Sequence, residues 1–335
     1  MSADIAALVL GCEGTVLSAA ERDFFRDANP LGFILFRRNV DSPDQVRALV
    51  ADLRASVGRH APILIDQEGG RVARLRGPHW PELPPARAVG DIADLDAAGQ
   101  AAWLHGRLLA AMLADLGIDV DCAPVADVPV PGAHDVIGDR AFAMDPSRVA
   151  RLAGAQAAGL LAGGVLPVVK HVPGHGRAFA DSHKELPVVH TKRAELEAWD
   201  FAPFKELAGL PAAMVAHVVF TDIDPALPAS VSSTVIADII RGHIGFDGLL
   251  FSDDLSMQAL SGTLGQRTAA VLAAGCDVAL HCNGQMVEML DVAANARALD
   301  DAAMRRWTTA SALVAAAPPT DINALRAEFD RLLAG

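Results

Sequence analysis

The chain contains no tyrosine, and its four cysteines (Cys12, Cys122, Cys276 and Cys282) stand apart with no C-x-x-C pair. The first absence excludes every mechanism that uses a tyrosine nucleophile or general acid. Scattered thiols in a chain of 335 residues read as reduced, which fits a cytoplasmic address better than a disulfide scaffold. No apolar run reaches the roughly 20 residues that a membrane span needs. The first residues, MSADIAALVLGCEG, place Asp4 and no basic segment ahead of a very short apolar stretch, so no secretory signal is expected. Cations are in the minority as well, 28 Lys and Arg against 41 Asp and Glu, for a net charge of −13. That balance argues against a general nucleic-acid binder, while leaving room for a locally basic pocket.

What is present is a chain with 52% hydrophobic residues, too apolar to be disordered and long enough for one large domain or two ordinary ones. Eight short β-like runs recur, at 6–10, 33–36, 63–65, 120–123, 166–169, 213–216, 249–251 and 278–280. Helical patterns lie between them. The clearest begins at Ser42, a good N-cap, with Pro43 suited to the first turn and Gln45 placed to complete a capping box. Val46, Leu49, Val50 and Leu53 then repeat at helical spacing. Similar stretches span roughly 98–116, 147–162, 192–208, 264–275 and 285–299. Strands alternating with helices imply βαβ units and a parallel sheet. Eight units without an early glycine-rich dinucleotide fingerprint favour an α/β fold of the (β/α)8 TIM-type barrel over a doubly wound sheet. The expectation is one catalytic barrel domain over 1–335, closed by an amphipathic helix at about 320–333 with Leu325, Phe329, Leu332 and Leu333 on its apolar side.

A barrel of this kind places its active site at the carboxyl ends of the strands, where this chain repeatedly puts polar residues. The third run leads into Asp66, Gln67, Glu68 and two glycines, then Arg71 and Arg74; the fifth leads into Lys170, His171 and His175. The sixth ends at His217, the seventh at Asp253 and Asp254, and the eighth at His281, Cys282 and Asn283. Asp253, behind an apolar strand, is placed to be a nucleophile, a metal ligand, a base or a helix N-cap. Pro173 and Gly174 keep His171 and His175 off a common helical face, so they are not a helical zinc pair. Asp181 and His183 lie two apart; in an extended loop both point to one side, and the carboxylate can set the imidazole's tautomer for acid/base work. A solvated loop is the bland reading of that pair. Lys170 alone is a Schiff-base candidate or a strand-end charge. Arg74, Arg140 and Lys170 can clamp oxygen-rich groups. Trp80 is either a sugar-stacking platform or a loop anchor.

Four ordered motifs together resemble the family 3 glycoside hydrolases, and closely their small bacterial β-N-acetylglucosaminidases, over nearly the whole chain. They are GFILFRRN at 32–39, IDQEGGRV at 65–72, KHVPGHG at 170–176 followed by DSH at 181–183, and FSDDLSM at 251–257. The resemblance implies a retaining exo-β-N-acetylglucosaminidase with Asp253 as nucleophile, His183 as acid/base and Asp181 orienting His183. It further implies that Asp66, Arg74, Arg140 (in VIGDR at 136–140), Lys170 and His171 bind the terminal N-acetylglucosamine. The substrate class it implies is the N-acetylglucosaminyl-anhydromuramyl peptides of cell-wall recycling. It implies a monomer, and no cofactor or metal is expected; the thiols, charge and hydropathy above add a cytoplasmic address with no nucleic-acid or membrane partner. Larger relatives draw the acid/base from or near a second domain; eight strand–helix units use up this chain, so the proton donor is expected from the barrel's own loops. The competing chemical reading is a metal-dependent barrel hydrolase using His171, His175, His183 and Asp253. A Lys170 aldolase and a catalytically silent sugar-binding barrel complete the alternatives.

Overall fold

Eight parallel strands close on themselves: β1 (Ala6–Gly11), β2 (Pro30–Leu35), β3 (Ile63–Ile65), β4 (Val120–Asp121), β5 (Leu166–Val172), β6 (Ala212–Val215), β7 (Leu249–Asp254) and β8 (Val278–His281). Each pairs with the next in sequence, and β8 returns to β1 with Leu10 opposite His281. The computed structural model describes residues 4–178, 185–314 and 320–335. Helices separate successive strands, giving the (β/α)8 barrel that the alternation predicts. All eight expected strands are present within a few residues. β5 runs further than expected, through Val172, so Lys170 and His171 belong to the strand rather than to the loop after it.

Strand side chains alternate between faces, and here they sort into two hydrophobic layers. Val9, Ile34, Leu64, Val168, Met214, Phe251 and Leu280 fill the barrel interior. Their neighbours Leu8, Phe33, Ile65, Val169, Ala213, Leu250 and Ala279 pack outward under the helices. The period of two then determines what reaches the open end. Two residues beyond Leu64, Val168, Phe251 and Leu280 come Asp66, Lys170, Asp253 and Cys282, on the inward face at the carboxyl ends of their strands.

Three helices depart from expectation. The pattern at 192–208 divides into Arg193–Ala198 and Ala202–Glu206, because Pro203 has no N–H to give the Trp199 carbonyl and its ring crowds that group. The helix at 285–299 stops early, as Met286–Ala294. In Pro43–Val57, Ser42 does cap the Gln45 N–H at 3.4 Å, but the expected capping box is not closed. The Gln45 carboxamide oxygen instead accepts from the Asp41 N–H at 2.8 Å, while its NH2 group reaches the Thr15 carbonyl. A complete capping box occurs at Ala19–Ala28, between Ser18 and Glu21, a helix too short and polar to stand out by periodicity. The terminal helix Ile322–Ala334 lies where expected, burying Phe329 and Leu332. The Phe329 ring sits 5.6 Å from His105 of the helix Leu95–Ala114.

Candidate active site

The β3 end continues into a short hairpin, Gln67–Gly69 against Val72–Ala73. Gly69 and Gly70 turn it with positive φ of 92° and 55°. Neither tolerates a side chain, since a Cβ on Gly69 would lie 2.4 Å from the Pro84 carbonyl oxygen and one on Gly70 2.7 Å from Pro85. The Gln67 oxygen accepts from the Arg74 and Leu75 backbone N–H groups, which brings Arg74 back over the barrel mouth. Its guanidinium lies 2.9 Å from Asp66 Oδ2 and stacks 4.8 Å from the centre of the Phe36 ring. Arg140, from the turn Gly138–Arg140, grips Glu68 with two parallel bonds of 2.8 Å. Lys170 Nζ stands between the two carboxylates, 2.8 Å from Asp66 Oδ1 and 2.7 Å from Glu68 Oε1.

The electrostatics follow from this packing. Burial alone would raise the Asp66 carboxyl, but Lys170 and Arg74 outweigh it and hold Asp66 well below the usual carboxylate range. Glu68, likewise opposed by burial, is brought to about 2 by Arg140 and Lys170. Burial disfavours the Lys170 charge, yet Asp66 and Glu68 outweigh it and raise Lys170 above its ordinary value. A Schiff-base lysine must be neutral to attack a carbonyl, so the aldolase reading of Lys170 fails on its surroundings.

These groups line one cavity of about 340 Å³ at the barrel mouth, with Asp253 on its wall together with Asp254, His171 and His175. Asp253 Oδ1 accepts the Asp254 N–H at 2.8 Å. Asp254 is tied down as a structural partner, accepting from the Cys282 N–H at 3.1 Å and from the Ser256 hydroxyl. His217 reinforces this strand end: it donates from Nε2 to the Asp254 carbonyl at 3.1 Å and accepts from the Ser230 hydroxyl on Nδ1. Burial pushes His217 down in pKa and brings His175 to about 4, so both are neutral imidazoles at pH 7. The structure thus brings Asp66, Arg74, Arg140, Lys170, His171 and Asp253 to one cavity. Asp181 and His183 lie outside the described residues. Trp80 is a loop anchor, buried in the outer hydrophobic layer and absent from the cavity wall.

Two residues of the site carry no role in the sequence reading. Glu68 had a usable signal, because it lies two residues beyond Asp66 in an extended segment and so shares its face. Asp127, fully buried in the apolar stretch 123–128, contacts His171 at 2.7 Å. A lone carboxylate inside an apolar run needs buried donors, which is the only signal it offered. Against the metal reading, His171 Nδ1 is committed to Asp127. Among the described residues no group of three or more His, Cys, Asp or Glu side chains is arranged to hold a metal ion.

A closed parallel barrel with carboxylates and forked cations around a polar cavity at its carboxyl end is the architecture of a barrel enzyme with a site for polyhydroxylated ligands. The model of the glycosyl hydrolase family 3 N-terminal domain matches residues 11–314, and the chain belongs to that family. It is similar to the β-hexosaminidase of Alkalilimnicola ehrlichii, 44% identical over 284 residues, covering 82% of this chain and 80% of the relative. A β-hexosaminidase of Pseudomonas aeruginosa is 42% identical over 291 residues, 86% of each chain. Among solved structures, NagZ from Neisseria gonorrhoeae, crystallised with N-trifluoroacetyl-D-glucosamine, superposes with a TM-score of 0.87 at 35% identity over 98% of both chains. The enzyme is a glycoside hydrolase of the β-N-acetylglucosaminidase kind. No helix among the described residues is long and apolar enough to cross a membrane.

Proposed function

We propose that this enzyme is a retaining exo-β-N-acetylglucosaminidase, acting as a single cytoplasmic barrel domain and a monomer. On this reading it releases terminal N-acetylglucosamine from N-acetylglucosaminyl-anhydromuramyl peptides during cell-wall recycling. The observation that carries it is the Asp66–Lys170–Glu68 bridge, flanked by Arg74 and Arg140 and facing the same cavity as Asp253. The cavity is floored by the barrel core, which suits a chain-terminal sugar rather than the middle of a glycan. Arg74, Arg140 and Lys170 donate to the sugar's hydroxyl and acetamido oxygens, and Asp66 accepts from its hydroxyls.

In the first half of the reaction the Asp253 carboxylate forms a bond to the anomeric carbon as the glycosidic C–O bond breaks. His183, oriented by Asp181, gives its proton to the departing oxygen. In the second half His183 takes a proton from water, the water oxygen bonds to the same carbon, and the ester to Asp253 breaks. Two inversions give net retention.

The test is release of N-acetylglucosamine from a purified N-acetylglucosaminyl-anhydromuramyl tripeptide, followed by chromatography with and without a chelator. Turnover unchanged by the chelator is expected; no release, or release that requires a divalent metal, overturns the reading. A second measurement addresses the proton donor. His183→Ala is expected to slow substrates with poor leaving groups by roughly 10²- to 10⁴-fold, the usual worth of a general acid, while aryl glycosides with acidic phenols lose far less in glycosylation. Equal losses across a leaving-group series would remove His183 from that role.

A further inference from the structure

Asp127 is fully buried and has no part in the steps above. It follows the segment that runs beside β5, where the Lys170 N–H donates to the Pro124 carbonyl and the Ala126 N–H to the Lys170 carbonyl. This pairing sets the Asp127 carboxylate against the next turn of chain. Its Oδ1 accepts two backbone N–H groups, from His175 at 2.6 Å and His171 at 3.3 Å. Its Oδ2 lies 2.7 Å from His171 Nδ1. Three donors converging on one buried carboxylate favour its ionised form. An ionised carboxylate can only accept, so Nδ1 carries the hydrogen.

His171 lines the sugar cavity. With Nδ1 turned to Asp127, the Nε2 edge is the one presented to the ligand, and in the neutral ring that nitrogen holds a lone pair. It gives the sugar an acceptor in addition to the Asp66 carboxylate. Arg74, Arg140 and Lys170 only donate, and Glu68 Oε1 already serves both Lys170 and Arg140. A sugar hydroxyl that accepts from one of these cations still has its own proton to place.

We propose that Asp127 is a positioning residue that locks His171 in its Nδ1–H tautomer, so that Nε2 accepts a hydrogen bond from one hydroxyl of the terminal sugar. The proposal rests on the reading of His171 as a sugar contact. It makes His171 a reader of hydroxyl donors rather than a general polar contact. It also explains why a carboxylate is buried where an amide would satisfy the two backbone N–H groups equally well.

The isosteric variant Asp127→Asn separates the possibilities. Its carboxamide oxygen stays on the two backbone donors, so its NH2 group faces Nδ1 and requires a lone pair there. The ring hydrogen then moves to Nε2, and the acceptor becomes a donor. A carboxylate-to-amide change beside a histidine is known to act through the tautomer in this way in another hydrolase. The probes are N-acetylglucosamine and its 3-, 4- and 6-deoxyfluoro analogues as competitive inhibitors, since fluorine cannot donate. Wild-type enzyme is expected to disfavour one analogue by roughly 10- to 100-fold, the cost of an unpaired buried acceptor. In Asp127→Asn that discrimination should collapse, with kcat/KM lower by a similar factor, and Asp127→Asn should add nothing to His171→Ala.

Unchanged discrimination in Asp127→Asn, or a further loss when it is added to His171→Ala, overturns the proposal. A His171→Ala enzyme that keeps wild-type KM and discrimination overturns the sugar-contact reading beneath it, and is recognisably a different failure. Should Asp127→Asn not fold, the ¹⁵N shifts of the His171 ring in wild-type enzyme, assigned by their loss in His171→Ala, report the tautomer directly. Hydrogen on Nδ1 alone supports the proposal; hydrogen on Nε2, alone or together with Nδ1, ends it.

Discussion

Asp253→Ala is expected to lower kcat by roughly 10⁴- to 10⁶-fold, the range seen when a catalytic nucleophile is removed from a hydrolase. The size of the effect follows from position. Asp253 stands two residues past Phe251 on an inward strand face, and the other acidic side chains of the cavity are committed. Asp66 and Glu68 are held by Lys170, Arg74 and Arg140; Asp254 is bound by Ser256 and Cys282. None of these can move to the anomeric carbon without abandoning buried donors. The substitution removes at least the bond from the Asp254 N–H, worth about 1 kcal/mol, so folding is checked alongside activity by urea unfolding. A 2-acetamido-substituted or 2-fluoro glycosyl donor that forms its ester faster than the ester hydrolyses should leave a mass increment on the peptide containing Asp253. Alanine at 253 should prevent that labelling. Turnover within about tenfold of wild type, or a label on another carboxylate, would falsify the nucleophile assignment.

Strand parity is what makes part of this site legible from sequence. Each inward apolar residue, Leu64, Val168 and Phe251, announces that the residue two further on faces the mouth of the barrel, and Asp66, Lys170 and Asp253 stand at those places. Arg74 and Arg140 are different. They enter on loops whose path depends on particular turns: the Gly69–Gly70 reversal held by Gln67, and the turn Gly138–Arg140. No periodicity describes such turns, and here the family motifs locate the residues better than any local rule. Asp127 is the limiting case. Its neighbours are apolar, and only the non-local approach of His171 and His175 gives its carboxylate partners. The split of 192–208 shows the same division, since Pro203 was visible but the tertiary packing that chose where to resume the helix was not.

Lys170→Met should produce the second large effect, and on two observables at once. The lysine is 2% exposed and is the cation shared by both Asp66 and Glu68. Methionine matches its length but removes the charge, leaving two buried carboxylates near one another with Arg74 and Arg140 on their outer sides. Breaking a buried ion pair by removing one member costs about 3–5 kcal/mol, measurable by urea unfolding at pH 7. The pH dependence carries the sign. In the wild-type protein the Asp66 and Glu68 carboxyls are held below their unfolded values, Glu68 at about 2. Their stabilisation is therefore present above about pH 4.5, the upper end of the unfolded carboxyl range, and is lost as pH falls through the folded values. Lys170 is raised, so its share is present below about pH 10.4 and is lost only as pH climbs through its folded value. In Lys170→Met burial and mutual repulsion push the carboxyls up instead, so protonation relieves the variant while it harms the wild type. The stability difference between the two proteins should be largest near pH 7 and shrink toward pH 4. Activity should fall by roughly 10²-fold or more in kcat/KM, since an unpaired charge is left beside the sugar. A deficit that is absent at pH 7, or that widens on acidification, would show that Lys170 does not bridge the two carboxylates in solution.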